Sequence, residues 1–147
     1  MSSGRLERRQ VLPLPLEDLF PFFAEAHNLQ RITPDWLRFE VLTPDPVEMK
    51  VGALIDYGLR WRGLPIRWRT EIAAWEPPHR FVDRQIRGPY RLWHHEHLFE
   101  QTPEGTLAID VVDYRAPLAF LSHPLMVDRD VARIFDYRQQ VLREIFG

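Results

Sequence analysis

Two histidines, His95 and His97, stand two residues apart in a run that alternates like a β-strand, so both imidazoles point to one side. Trp93 and Phe99 share that side, while Leu92, His94, Glu96, Leu98 and Glu100 take the other. An imidazole titrates near neutrality, so either histidine could act as a general acid or base if a carboxylate such as Asp83 held it. Two imidazoles with Asp83 or Asp110 would also supply three ligands of the kind that hold a divalent metal. The flanking Trp93 and Phe99 suit an apolar pocket better than an open metal centre, and no metal is expected.

Other chemistries are excluded by what the chain lacks. It has no cysteine, hence no thiol nucleophile and no thiolate-bound zinc or iron–sulfur centre. Its serines are Ser2, Ser3 and Ser122, and none sits in a Gly-x-Ser-x-Gly elbow. There is neither a phosphate-binding Gly-rich loop nor a dinucleotide fingerprint, so no cofactor is expected. Arg60, Arg62, Arg67, Arg69, Arg84 and Arg87 interleave with tryptophans, which resembles a base-stacking platform. Strand alternation, however, sends the indoles and most guanidinium groups to opposite faces. With a formal charge of −2 as well, nucleic acid is not the expected partner.

These side chains need elements to position them. Leu6–Leu12 reads as a first strand, and Pro15 opens a helix carrying Leu16, Leu19, Phe20 and Phe23 that Pro21 must kink or shorten. Asn28 is placed to cap a further turn, Leu29–Ile32, which Thr33 and Pro34 stop. Six strand-like runs follow: 37–42, 53–61, 64–75, 80–87, 90–100 and 106–114. Turn residues such as Arg62-Gly63, Pro77-Pro78, Gly88-Pro89 and Pro103-Glu104-Gly105 separate most of them. Pro124–Phe146 is helical by spacing, with Val127, Val131, Ile134, Phe135, Leu142 and Ile145 on one face. Arg138 falls at the centre of that apolar face, where it needs an acid (Asp83, Asp110 or Glu96) or a route to water.

The 147 residues fit one α+β domain, 1–147: a curved antiparallel sheet of about seven strands around a long C-terminal helix, with two short helices after the first strand. Tyr57, Trp61 and Trp68 join Trp93 and Phe99 as either solid core or the lining of a cavity. Residues 80–87 and 106–114 leave their inner face open. Phe81, Asp83 and Gln85 oppose Val82, Arg84 and Ile86, and Leu107, Ile109 and Val111, the more apolar set, alternate with Asp110, Val112 and Tyr114. No apolar run is long enough to span a membrane, and the N-terminus lacks the apolar stretch of a signal peptide, so a cytoplasmic location without membrane insertion is expected.

The order of elements resembles the START/SRPBCC superfamily, the helix-grip fold of lipid-transfer domains and polyketide cyclases. The motifs Phe81-x-Asp83-x-Gln85, Gly88-Pro89-Tyr90, Trp93-x-His95-x-His97-x-Phe99 and Asp110-x-Val112-x-Tyr114, with Arg138 near the end, are similar to a small bacterial single-domain subgroup. The resemblance implies that Asp83, Gln85, Asp110 and Tyr114 face a cavity. It also implies a hydrophobic or aromatic small molecule or lipid as the partner, held by a carrier or sensor. A polyketide cyclase or dehydratase using His95 or His97 with Asp83 is the enzymatic alternative. Similar domains occur joined to NAD-dependent epimerase-like proteins, which implies an accessory role beside such a protein as a further alternative. Within such a cavity, Asp83, Gln85, His95, His97 and Arg138 are expected to form a buried network that satisfies itself and can orient a ligand's polar head.

Overall fold

The computed structural model describes residues 3–116 and 124–147, which leaves Ser2 and Ser122 outside the described residues. Its strands are β1 (Ser3–Leu12), β2 (Glu40–Val41), β3 (Leu54–Trp61), β4 (Leu64–Glu76), β5 (Arg80–Arg87), β6 (Leu92–Thr102) and β7 (Gly105–Arg115). They form one seven-stranded antiparallel sheet in the order β1-β7-β6-β5-β4-β3-β2. Helix α1 (Leu16–Ala24) and two 3-10 turns, Ala26–Ile32 and Asp35–Leu37, follow β1, and α2 (Pro124–Phe146) ends the chain. This is the expected helix-grip α+β arrangement.

Local chemistry explains the turns. Arg62 and Gly63 both take positive φ, 51° and 83°, the pair of left-handed residues that a tight β-hairpin requires. At Gly105 a Cβ would lie 2.1 Å from the Leu12 carbonyl oxygen, so only glycine lets β7 start this close to β1. Register shifts at Arg69/Thr70 and Ile72/Ala74 mark irregularities between β4 and β5, which bend the sheet toward α2.

Two expectations are corrected and one open choice is decided. The strand expected over residues 37–42 shrinks to Glu40–Val41, because Leu37 closes a 3-10 turn and Arg38 adopts the left-handed conformation at φ 49°. Asn28 lies inside its turn rather than capping it, and its Nδ2 donates to the Phe22 carbonyl at 2.9 Å. In β7, whose inner face the alternation left open, the inner set is Thr106, Ala108, Asp110, Val112 and Tyr114, with Asp110 and Tyr114 on the side that the family resemblance implies. A paired carboxylate at Asp110 therefore outweighs hydrophobicity as the guide to that face.

Helix α2 lies across the sheet with Val127, Val131, Phe135, Arg138 and Leu142 buried along one stripe. Its first turns are tied to the β3–β4 hairpin and to β7. Asp130, 2% exposed, accepts from Trp61 Nε1 at 2.8 Å and from Arg62 Nη2 at 2.9 Å, while Asp128 accepts from the Tyr114 hydroxyl at 2.5 Å. Farther along, Gln10 Nε2 donates to the Gln139 carbonyl and Gln139 Nε2 to the Arg9 carbonyl, joining α2 to β1.

Candidate ligand cavity and its polar cluster

Between the curved sheet and α2 lies a cavity of about 170 Å³. A dry apolar cavity of roughly 150 Å³ already admits a benzene-sized molecule, so this space is large enough for a small ring system. Most of its wall is apolar: Trp61, Trp68 and Trp93 from the sheet, Phe23 and Leu29 from the segment after β1, and Phe135 from α2. The rings pack on one another in mixed geometry, Trp68 edge to face on Trp93 with centroids 5.3 Å apart and Phe135 stacked on Trp93 at 6.3 Å, which holds the wall in place.

Four polar side chains of the lining, Asp83, His95, His97 and Arg138, gather with Asp110 where β5, β6, β7 and α2 converge. His97 Nε2 lies 2.6 Å from Asp83 Oδ2, and His95 Nε2 lies 2.7 Å from Asp110 Oδ1. An ionised carboxylate can only accept, so each imidazole donates through Nε2. Arg138 Nη2 donates to Asp110 Oδ1 at 3.3 Å and to His97 Nδ1 at 3.4 Å, which fixes Nδ1 of His97 as an acceptor. The two imidazoles stack with centroids 3.6 Å apart, and Phe81 stacks on the other face of His97 at 3.9 Å. The cluster ties the sheet to the middle of α2.

Burial and charge set the protonation states. Loss of water pushes His97 down to about 4, helped by the neighbouring His95 and opposed by Asp83 and Asp110, so His97 is neutral at neutral pH. Burial by itself would raise Asp83 and Asp110. For Asp83 the interaction with His95, the hydrogen bond from His97 and the charge of Arg138 outweigh it, and for Asp110 Arg138 leads; both carboxyls are held below the ordinary carboxylate range. Tyr57 is raised, first by burial and then by the charge of Asp83.

Of the residues read from the sequence, Tyr57, Trp61, Trp68, Asp83, Trp93, His95, His97 and Arg138 line the cavity. Four others do not. Gln85 is occupied by Tyr90, donating to its carbonyl at 2.7 Å and accepting from its N–H at 3.0 Å, so it holds the Gly88–Tyr90 turn in place. Phe99 packs into the cluster of Phe20, Phe23 and Phe81 beneath α1. Asp110 supports His95 and Arg138 from behind, and the Tyr114 hydroxyl is held by Asp128. Glu96, an alternative acid for Arg138, instead accepts from Arg80 at 2.6 Å. Arg138 is 5% exposed, so it does not reach out to bulk water.

Tyr90, Phe135 and Phe23 also line the cavity, and the sequence reading did not select them. Phe135 had a signal, its place on the inner stripe of α2. Tyr90 precedes its strand, in a turn whose direction the sequence alone does not specify.

A family model described as polyketide cyclase/dehydrase and lipid transport matches residues 12–137. No curated protein matches the chain in sequence. Among solved structures, protein CV1439 of Chromobacterium violaceum is similar in fold, with a TM-score of 0.75 at 14% identity over 97% of each chain. Major latex-like protein 151 of Panax ginseng superposes at 0.68 with 13% identity, over 100% of this chain and 99% of that one. The di-domain ARO/CYC StfQ of the steffimycin biosynthetic pathway superposes at 0.73 with 13% identity, over 98% of this chain and 50% of StfQ. At these identities the likeness is one of fold.

Proposed function

Since the chain belongs to the polyketide cyclase/dehydrase and lipid transport family, we propose that it binds an apolar, ring-containing small molecule between the sheet and α2, as a carrier or sensor. One observation carries this reading: a cavity of about 170 Å³ whose wall is largely aromatic and in which Asp83, His95, His97 and Arg138 meet in one hydrogen-bonded cluster. Ligand sites are commonly built this way, with an apolar body for affinity and a few fixed polar groups for orientation. The self-satisfying hydrogen bonds of Asp83, His97, Asp110 and Arg138 allow the cluster to stay buried in the absence of ligand.

Native mass spectrometry of the purified protein, followed by solvent extraction, tests the reading. A co-purifying hydrophobic compound is the expected result. An apo mass together with no binding of small aromatic probes would overturn it.

A catalytic role has one specific observation in its favour: His97 is a neutral imidazole with a fixed tautomer, oriented by Asp83, at the cavity wall. To move a proton on a bound carbonyl compound, His97 would exchange one of its two partners, Asp83 at Nε2 or Arg138 at Nδ1, for the substrate. The enzymatic reading predicts a bell-shaped pH profile and loss of turnover, with fold retained, in His97→Ala or His95→Ala.

A further inference from the structure

The sequence places a cation, Arg138, beside the cavity, which would suit an acidic ligand. The geometry reverses that sign. Arg138 stands in the cavity wall, but its Nη2 is held by Asp110 and His97, its Nε is buried and only 6% of its side chain is open. Its guanidinium carbon lies 5.4 Å from the Phe23 ring centre and 6.0 Å from that of Phe135, so aromatic faces cover the charge. His95 and His97 are likewise 6% open, each committed through Nε2 to a carboxylate. Asp83 differs. Its side chain is 19% open while it lines an interior cavity, the largest share among these five polar residues, and only its Oδ2 is engaged, by His97. Among the described residues Oδ1 accepts no side-chain hydrogen bond.

We propose that the cavity selects ligands whose polar head donates a hydrogen bond, such as an aromatic hydroxyl, and rejects carboxylates; this rests on the reading that the cavity is a ligand site. A hydroxyl reaching Asp83 Oδ1 makes a charge-assisted hydrogen bond, stronger than one between neutral partners. A carboxylate in the same position places like charges together where little water screens them. Arg138 does not offset this, because Asp110 already pairs with it and His97 is neutral at neutral pH.

Three probes of one ring system separate the possibilities at neutral pH: naphthalene, naphthol and naphthoate, titrated calorimetrically into the native protein and into Asp83→Asn. Naphthol is expected to bind about tenfold more tightly than either of the others, the scale of one charge-assisted hydrogen bond. In Asp83→Asn, which can still accept from His97, the gap between naphthol and naphthoate is expected to close to about threefold or less. Naphthoate binding as tightly as naphthol to the native protein overturns the head-group preference, as does a gap that survives the substitution. Naphthalene binding with no gain from the hydroxyl also overturns the preference while leaving the proposed function standing. Failure of all three probes overturns both. Circular dichroism reports whether Asp83→Asn is folded, and if it is not, the native comparison decides alone.

Discussion

Arg138 concentrates the energetics of the site in one side chain. Its partner Asp110 is buried, and its Nε is buried with no hydrogen-bond acceptor among the described residues, so the residue is held at a cost that only a complete cluster offsets. Arg138→Met keeps the apolar stem but strands a buried carboxylate, and is expected to lower unfolding stability by about 3–5 kcal/mol in denaturant titration. A loss under about 1 kcal/mol would show that the pair is not a unit. The pH dependence follows from His97. Its folded value, about 4, lies below the ordinary 6.5, so below that ordinary value the unfolded chain takes up a proton that the native state refuses. Stability is therefore full above pH 6.5 and falls as pH drops toward 4, by about 3 kcal/mol at most from this group. Asp83 and Asp110, both lowered, extend the loss further into acid. Urea midpoints across this range check the slope, and His97→Gln is expected to flatten its upper part. Arg138 was legible from helical spacing because a charge in an apolar stripe contradicts its surroundings. Its acid was not, because Asp83, Asp110 and Glu96 are equivalent until the strand faces and register are known.

Among the elements, the long alternating strands and α2 were legible because each repeats one pattern over many residues, whereas the segment after α1 was not. Residues 26–41 carry short apolar runs broken by polar residues and Pro34, and what decides them is nonlocal: Val41 N–H donates to the Gln30 side chain and Leu42 N–H to the Asp56 carbonyl. The inner face of β7 was not legible from alternation for a related reason, since hydrophobicity cannot show that Asp110 finds buried partners. The bond of Asp130 to Trp61 and Arg62 sets where the start of α2 meets the β3–β4 hairpin. Asp130→Ala leaves the indole N–H without its acceptor and is expected to cost about 1–3 kcal/mol. Hydrogen exchange should then accelerate in the first turns of α2 and at the hairpin while the β6–β7 pairing stays protected. Uniform acceleration would mean that the clamp supports the whole fold rather than one junction.

For the whole molecule, the cavity makes stability a report on occupancy. A ligand that binds only the native state, present at about a hundred times its Kd, adds about 2.7 kcal/mol, which for a chain of this size raises Tm by about 5–10 °C. Thermal scans against concentration of a bound compound should follow that logarithmic rise, and a flat response would place its binding outside the folded domain. The pairing of β1 with β7 has a different consequence. Arg8 lies opposite Asp110, so about a hundred residues of chain separate the two partners. At a synthesis rate of roughly 5–20 residues per second, β1 leaves the ribosome about 5–20 seconds before the strand it needs. In that interval it is an unpaired strand, open to association with other nascent chains. Arg5, Glu7, Arg8 and Arg9 load it with charge, so residues that in the finished protein line the outer sheet (Arg5, Glu7, Arg9) or pair with Asp136 of α2 (Arg8) keep the first strand soluble while it waits.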